Sequence, residues 1–356
     1  MLAPVDGTSH PPRAVVLAYL LAITAVIGCE RLAPTSERGR MLREGDLVVL
    51  IGPSQSSPQW AAIGGGARRL VEQYPPLALE LMAPTDSSHT ALARIVDEAL
   101  SKKPKAICLY VRDPETARSA ARQITKAGVH LITMGADSGI SGAFGQVHVD
   151  YARGAELLGK HLTEIAGGKR SYFLLHTHGA SPIDTHCYER FMQHARGRVD
   201  MTLLKECNAA EAKRPTGELI AEMFARFPNA GLMVTLDPGP WLSTPPAQLL
   251  GSNARFATLG AAPVLWQYLQ SGEATALVGP LDGEIGRLAA EMALMAITES
   301  EPAGLVRIAR HELVTRDTLD DFANRYAEAA GLDLKELVRQ PALSEPSAPP
   351  ERNASP

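Results

Sequence analysis

One group of histidine and cysteine side chains lies between residues 176 and 207 of the sequence. Each of them follows an apolar run of strand length or lies near the start of the next helical stretch. The carboxyl ends of parallel strands form the ligand-binding side of a sheet, so we expect these side chains on that side. Imidazole and thiolate groups that meet there suit Zn²⁺ or a copper ion. The residues are His176, His178, His186, Cys187 and Cys207.

Two other interpretations of this group stay open. Cys187 and Cys207 can form a disulfide if the protein lies outside the cytoplasm. Alternatively, the histidines hydrogen-bond a ligand or the backbone, and the thiols are buried as small apolar groups. We favour the last interpretation and predict no metal ion and no other cofactor.

The sequence carries no motif of a known catalytic centre. There is no GxSxG, no HExxH and no Walker loop, and no pair of acids can be placed together from spacing alone. The three glycines at 64–66 lie inside a predicted helix, whereas a phosphate-binding loop follows its strand directly. They therefore predict close helix packing, and we predict that the protein is not an enzyme.

The composition limits the classes of function further. The chain has 356 residues, 45% of them hydrophobic, which is enough for two domains of ordinary size. Its formal net charge of −4 gives no electrostatic reason to expect a nucleic-acid partner. Only 5% of the residues are aromatic, a composition that suits helices packed on parallel sheets.

Short apolar runs alternate with amphipathic stretches along most of the chain, and the alternation restarts after Asp150. This pattern predicts doubly wound parallel sheets. Strands are predicted at 47–51, 77–82, 106–111, 130–134, 171–175, 201–206 and 231–235. Helices are predicted at 59–74, 90–102, 114–127 and 153–165, and from near residues 184 and 216. Function is expected in the loops after residues 51, 134, 175 and 235.

The N-terminus has the pattern of an export signal. Arg13 precedes an apolar run at 14–28, which is too short to span a bilayer comfortably, and Cys29 follows a small residue. This arrangement resembles the lipobox of bacterial lipoproteins, in which Cys29 is the lipidated residue. A plain cleaved signal and an uncleaved anchor are the alternatives, and all three place the folded part outside the cytoplasm. We predict a signal peptide at 1–28, a tether at 29–44 and a disordered tail at 341–356.

Several segments, in order, resemble the type I periplasmic binding proteins, in particular the ribose-binding-like sugar receptors of ABC importers. The resemblance extends from about residue 46 to 322. The segments are SSPQW at 56–60, AICLY at 106–110 followed by DP, AGVHLITM at 127–134, VDY at 149–151 and ELVTRDTLDDF at 312–322.

The resemblance implies an α/β fold of two doubly wound parallel-sheet lobes joined by a three-strand hinge. The first lobe would comprise 45–149 and 281–309, and the second 150–280 and 310–322. A C-terminal helix would follow at 323–340. Ligand binding would close the lobes by hinge motion.

The resemblance also implies positions for ligand contacts, some of which this sequence has changed. Trp60 can stack on a sugar ring or pack in the core, and Asp150 can contact the ligand or hydrogen-bond within the hinge. Charged or amide anchors of the sugar receptors are replaced by Gly135, Ala136, Cys187, Gly260 and Pro280. We add His176 because of its place at a strand end. The predicted ligand-binding residues are Ser57, Gln59, Trp60, Asp137, Asp150, Tyr151, His176 and Asp237.

The implied function is binding without catalysis. The protein would be a monomer in the cell envelope, attached to a bacterial membrane by its lipid, and would deliver a sugar or related polyol to an ABC permease. One alternative is a ligand-sensing module that acts on a membrane kinase. A second is a metal-binding lipoprotein that uses the histidine and cysteine group, and a third is a scaffold with a decayed pocket. The transcription repressors of this fold are excluded, because a signal sequence occupies the place of their DNA-binding domain.

Overall fold

The alternation of apolar and amphipathic segments produces two α/β lobes, each built on one six-stranded sheet. The computed structural model describes residues 40–338, except 87, 138, 252 and 300–302. The predictions for the signal peptide, for Cys29 and for the tail at 341–356 lie outside the described residues. Among the described residues, no helix combines the length and the apolar character needed to cross a membrane.

Strands and helices alternate through both lobes. The strands are β1 (Leu47–Ile51), β2 (Ala78–Met82), β3 (Ala106–Val111), β4 (His130–Gly135), β5 (Gly145–Val149), β6 (Ser171–His176), β7 (Thr202–Asn208), β8 (Leu232–Thr235), β9 (Arg255–Leu259), β10 (Ala274–Pro280), β11 (Leu305–Ala309) and β12 (His311–Val314). The helices are α1 (Trp60–Val71), α2 (His89–Ser101), α3 (Pro114–Lys126), α4 (Tyr151–Lys160), α5 (Leu162–Ala166), α6 (Pro182–Ala195), α7 (Ala209–Ala212), α8 (Thr216–Arg226), α9 (Gly239–Ser243), α10 (Pro246–Leu249), α11 (Trp266–Ser271), α12 (Asp282–Thr298), α13 (Leu319–Ala330) and α14 (Leu334–Val338). A short 3₁₀ helix, Pro263–Leu265, precedes α11.

Both sheets follow the doubly wound pattern. The first has the order β2-β1-β3-β4-β5-β11, and every pair in it is parallel. The second has the order β7-β6-β8-β9-β10-β12, and only β12, at its edge, runs antiparallel to its neighbour. Helices cover both faces of each sheet, which explains why a central strand such as β3 is apolar along almost its whole length.

The chain passes three times between the two sheets. The passages lie between β5 and α4, between β10 and α12, and between β11 and β12. Helix α12 packs on the first sheet, with Ile285 and Met292 in the same apolar cluster as Val48 of β1. The last strand of each sheet therefore comes from the C-terminal part of the chain.

The three consecutive glycines of α1 allow helices to pack at backbone distance. A Cβ on Gly66 would lie 1.9 Å from the carbonyl oxygen of Gly283 in α12, and a Cβ on Gly65 would lie 2.0 Å from that of Ala330 in α13. A Cβ on Gly64 would meet only the side chain of Leu81, at 2.9 Å. The predicted role of these glycines in close helix packing is confirmed.

A buried carboxylate links helices α4 and α6 of the second lobe through ion pairs. The carboxylate of Glu156 on α4 is paired with Arg153, with Lys160 and, at 2.9 Å, with Arg190 of α6. Lys160 and Arg153 lower the pKa of Glu156 to about 2, against the opposing effect of burial. The helix predicted at 153–165 is interrupted beyond α4 by His161, which joins it to the short helix α5.

Candidate functional site

The carboxyl ends of strands from both sheets meet at the junction between the lobes. Arg112 follows β3 of the first sheet, and Asp237 follows β8 of the second; burial raises the pKa of Asp237, and the charge of Arg112 opposes this rise. Ile183, at the start of α6, packs against apolar clusters of both lobes. The junction is therefore lined by loops from both sheets, as expected for a doubly wound fold.

Asp237 places an acceptor on the second-lobe side of the junction. Its Oδ1 accepts a hydrogen bond from the backbone N of Gly239, at 2.8 Å. Burial raises the pKa of Asp237, and the Arg112 guanidinium and the Gly239 hydrogen bond oppose this shift. Among the described residues, no group donates a hydrogen bond to Oδ2.

A second acidic side chain of the same lobe is held in a helix cap. Ser181 caps α6 and accepts a hydrogen bond from the backbone N of Asp184, at 3.1 Å. The carboxylate of Asp184 accepts hydrogen bonds from Ser181 Oγ, at 2.6 Å, and Thr177 Oγ1, at 2.7 Å. Its charge also raises the pKa of Asp237. The second-lobe side of the junction is therefore acidic, and the first-lobe side contributes Arg112.

Two tyrosine hydroxyls form a hydrogen bond across the junction. Tyr110 on β3 and Tyr151 at the start of α4 are 2.9 Å apart at their Oη atoms. The Tyr110 ring lies against Gly135, where a Cβ would come within 3.3 Å of it, and the Tyr151 ring contacts His311 edge to face at 5.5 Å. Burial raises the pKa of both tyrosines. Both hydroxyls therefore stay protonated at neutral pH and can donate or accept a hydrogen bond.

A buried carboxyl group lies beside this tyrosine pair. Asp282 begins α12 and is 3% exposed, and its Oδ2 accepts a hydrogen bond from Tyr326 of α13, at 2.7 Å. Its Oδ1 has no partner among the described residues. Burial raises the pKa of Asp282 to about 7, and its charge in turn raises the pKa of Tyr110 and Tyr151.

The first loop places an indole on the scaffold of the first lobe. The backbone N of Trp60 donates to the carbonyl of Ser57, at 3.1 Å, and its ring lies on Gly52, where a Cβ would be only 2.2 Å away. Trp60 packs against the first-lobe core, yet part of its surface remains exposed. Gln59 is partly buried and makes no side-chain cap of α1. Trp60 therefore combines core packing with a surface that a sugar ring can cover.

Asp137 and Asp150 both take part in local backbone structure. Asp137 is exposed after β4, and its Oδ1 accepts from the backbone N of Gly139, at 3.2 Å, and from Gln146 Nε2, at 3.3 Å. Asp150 caps α4 by accepting from the backbone N of Arg153, at 2.9 Å. Of the two roles considered for Asp150, hydrogen bonding within the hinge is the one that these contacts show.

His176 is enclosed in a network inside the second lobe. Its Nδ1 accepts a hydrogen bond from the backbone N of His178, at 3.1 Å, so the proton lies on Nε2. Nε2 is 3.0 Å from Glu206 Oε1, which also accepts from the hydroxyl of Tyr188, at 2.7 Å. Burial lowers the pKa of His176 and favours its neutral form. Both ring nitrogens therefore already have partners within the lobe.

The cysteines lie on opposite faces of the second sheet. Cys187 is buried with the cluster around α4 and α6, whereas Cys207 packs against the cluster around α8 and α11. Both are free thiols, and the sheet between them prevents a disulfide. His186 is exposed, and within the described range no set of three histidine, cysteine or acidic side chains is arranged to hold a metal ion. The disulfide and metal interpretations do not fit this arrangement.

Sequence reasoning missed four polar residues of the junction: Tyr110, Arg112, Asp184 and Asp282. The loop after β3 was not among those where function was expected. A signal for Arg112 was nonetheless present, because it directly follows a buried apolar run and precedes the Asp113-Pro114 helix start. Asp282 had no such signal, because only the tertiary structure brings it beside the tyrosines.

Comparison with known proteins agrees with this architecture. The family model described as periplasmic binding protein domain matches residues 48–301. No curated protein matches the chain.

Solved structures show the same fold at low sequence identity. An ABC transporter solute-binding protein from Burkholderia graminis, in complex with D-arabinose, has a TM-score of 0.66 and 12% identity, covering 78% of this chain and 98% of its own. One from Actinobacillus succinogenes 130z, with bound D-allose, has a TM-score of 0.66 and 18% identity, with coverages of 78% and 99%. A glucose-galactose binding protein from Geobacillus stearothermophilus has a TM-score of 0.64 and 16% identity, with coverages of 77% and 99%.

Proposed function

Because the chain belongs to the family of periplasmic binding protein domains, we propose that it is an exported solute-binding protein. In this proposal it captures a sugar or related polyol between its lobes and delivers it to an ABC importer, without catalysing a reaction. A lipid on Cys29 holds it at the periplasmic side of a bacterial membrane. The sugar ligands of the three similar proteins support the ligand class.

The observation that carries the proposal is that the charge of Arg112 in the first lobe acts on Asp237 in the second, at a junction where Tyr110 and Tyr151 also hydrogen-bond at 2.9 Å. A guanidinium only donates hydrogen bonds and a carboxylate only accepts them, and a sugar hydroxyl can satisfy either group. A ligand held by both therefore links the lobes. Trp60 can cover the C–H face of the ring, and the tyrosine hydroxyls can accept or donate at its edge.

The sequence changes at the family's anchor positions bear on specificity. Gly135 and Ala136 offer no side-chain polar group after β4, so polar contacts must come from other loops. Arg112 lies on such a loop, and Asp184 lies in the first turn of α6. We therefore propose that the ligand is a polyol that differs from ribose in the placement of its hydroxyl groups. A site that has lost a polar hydrogen-bonding group binds the ligand that needed that group much more weakly. The ribose preference of the sugar receptors therefore does not transfer to this chain.

The test is a thermal unfolding screen of the purified chain with monosaccharides, cyclitols and sugar acids. A ligand at about 100 times its Kd stabilises the folded state by about 2.7 kcal/mol. For a protein of this size the melting temperature then rises by about 4 °C. Asp237→Ala should abolish the rise given by the effective sugar. Asp97→Ala, on the exposed surface of α2, is the control and should leave the rise intact.

Two outcomes would contradict the proposal. If no compound of the panel shifts the melting temperature, the ligand is not of this class. If a sugar shifts it equally in the wild-type protein and in Asp237→Ala, the sugar binds outside the junction described above.

A further inference from the structure

The C-terminal helix α13 is packed into both lobes at once. Its first half belongs to the second lobe, where Leu319 and Phe322 are buried in the same apolar cluster as Trp266. Arg325 extends this attachment through a two-pronged ion pair with Glu312 of β12, at 2.7 and 2.6 Å. This half of the helix is fixed to the second sheet.

The other end of α13 is fixed to helices of the first lobe. A Cβ on Gly65 of α1 would lie only 2.0 Å from the carbonyl oxygen of Ala330. A Cβ on Gly283 of α12 would lie 2.4 Å from the backbone of Ala329. Arg69 of α1 also donates a hydrogen bond to the carbonyl of Glu328. These are backbone-distance contacts, in which a small displacement already breaks the packing.

The middle of α13 connects the two attachments at the junction itself. Tyr326 is fully buried, and its ring packs edge to face on Trp266 of the second lobe, at 5.4 Å between centroids. Its hydroxyl donates to Asp282 of α12, at 2.7 Å. One side chain therefore contacts apolar groups of one lobe and a buried carboxyl of the other.

We propose that α13 is a strap that limits how far the two lobes separate. A 12-residue helix is about 18 Å long, so rotating one lobe by 10° about one end of α13 moves the other end by about 3 Å. Contacts between backbones do not tolerate such a shift. The lobes of the unliganded protein therefore stay close to the arrangement described here, and opening requires one attachment of α13 to break.

The proposal is tested on the unliganded full-length protein, so its outcome does not depend on sugar binding. Spin labels at Ser56→Cys in the first lobe and Glu211→Cys in the second report the interlobe distance by pulsed electron resonance. Both positions are exposed, and Cys207→Ser removes the partly exposed native thiol. Wild type should give one narrow distance distribution.

Two adjacent glycines of α1 provide matched variants. Gly65→Ala pushes the end of α13 away from the first lobe and should lengthen the interlobe distance by about 3 Å or more and broaden its distribution. Gly64→Ala adds the same methyl group to the same helix, yet it meets only Leu81 within the first lobe and should leave the distribution narrow. Tyr326→Phe, which keeps the ring, and Arg69→Ala should broaden the distance distribution less than Gly65→Ala does. They replace Gly65→Ala in the test if that variant does not fold.

The proposal is overturned by either of two results. One is a distance distribution in the unliganded wild-type protein that is broad, or that is centred at a longer distance than the arrangement described here gives. The other is a distribution in the folded strap variants that matches that of Gly64→Ala, which would show that the hinge strands alone set the arrangement.

Discussion

Replacing Asp282 by Asn should change how the stability of this protein depends on pH. Burial raises the pKa of this carboxyl group from 3.8 to about 7 in the folded state. The unfolded chain therefore loses the proton at lower pH than the folded chain does. It follows that wild type loses stability as the pH rises from about 4 to about 7, and that this loss is complete above pH 7.

The size of the effect follows from the two pKa values. The full difference between 3.8 and about 7 corresponds to about 4 kcal/mol of unfolding free energy at high pH. At pH 5 the unfolded chain is already ionised at this position, and about 2 kcal/mol has been lost. Between pH 5 and pH 8, wild type should therefore lose about 2–3 kcal/mol more than Asp282→Asn, which carries no titrating group there. The amide oxygen of Asn can still accept the hydrogen bond of Tyr326.

The assay is urea unfolding of both proteins at pH 5, 6, 7 and 8, with free energies obtained by linear extrapolation. All other titrating groups are shared and cancel in the difference between the two proteins. Tyr326→Phe is a useful second variant, because the Tyr326 hydroxyl lowers the pKa of Asp282. Removing the hydroxyl should raise this pKa further and increase the unfolding free energy lost between pH 5 and pH 8. A difference between wild type and Asp282→Asn that stays constant from pH 5 to pH 8 would refute the reasoning.

Other expected results follow from contacts within and between the lobes. Tyr110→Phe and Tyr151→Phe should each lower the unfolding free energy by about 1 kcal/mol. Because they remove the same hydrogen bond, the double variant should lose less than the sum; additive losses would contradict this. Glu156→Gln should destabilise the protein by about 1–3 kcal/mol at pH 7, because Arg153, Lys160 and Arg190 lose the negative charge of their shared acceptor. This cost should shrink as the pH falls towards about 2, where the carboxylate itself becomes protonated. A cost for Glu156→Gln that is equal at pH 7 and pH 3 would show that the charge is not what stabilises the pair of helices.

Much of the fold could be predicted from local pattern, because strands covered by helices on both faces are apolar runs. The runs at 47–51 and 106–111 match β1 and β3, and the Asp113-Pro114 start matches the capped helix α3. The family and the two-lobe fold predicted from the resemblance are confirmed. The strands β11 and β12 were not predicted. Arg307 interrupts the short apolar run of β11, and this edge strand leaves Val306 and Ile308 exposed.

The candidate site was harder to predict, because it depends on which loops meet. Asp237 was selected because it matches the Asn-Asp position of the sugar receptors after a second-lobe strand, and in the structure it lies within the influence of the Arg112 charge. His176 was selected from its place at a strand end, but β6 lies next to the edge strand β7, and Glu206 of that strand binds its imidazole. A strand end alone therefore does not distinguish a ligand contact from a hydrogen bond within the lobe.

The way the first sheet is completed has a consequence for the order of folding. Leu305 of β11 pairs with Gly145 of β5, 160 positions earlier in the chain. One face of the first sheet is covered only when α12 has packed on it. Strands β6 to β10 of the second lobe, in contrast, follow one another without interruption. Contacts so distant in sequence form slowly, so the lobe whose synthesis begins first should be slow to complete its sheet.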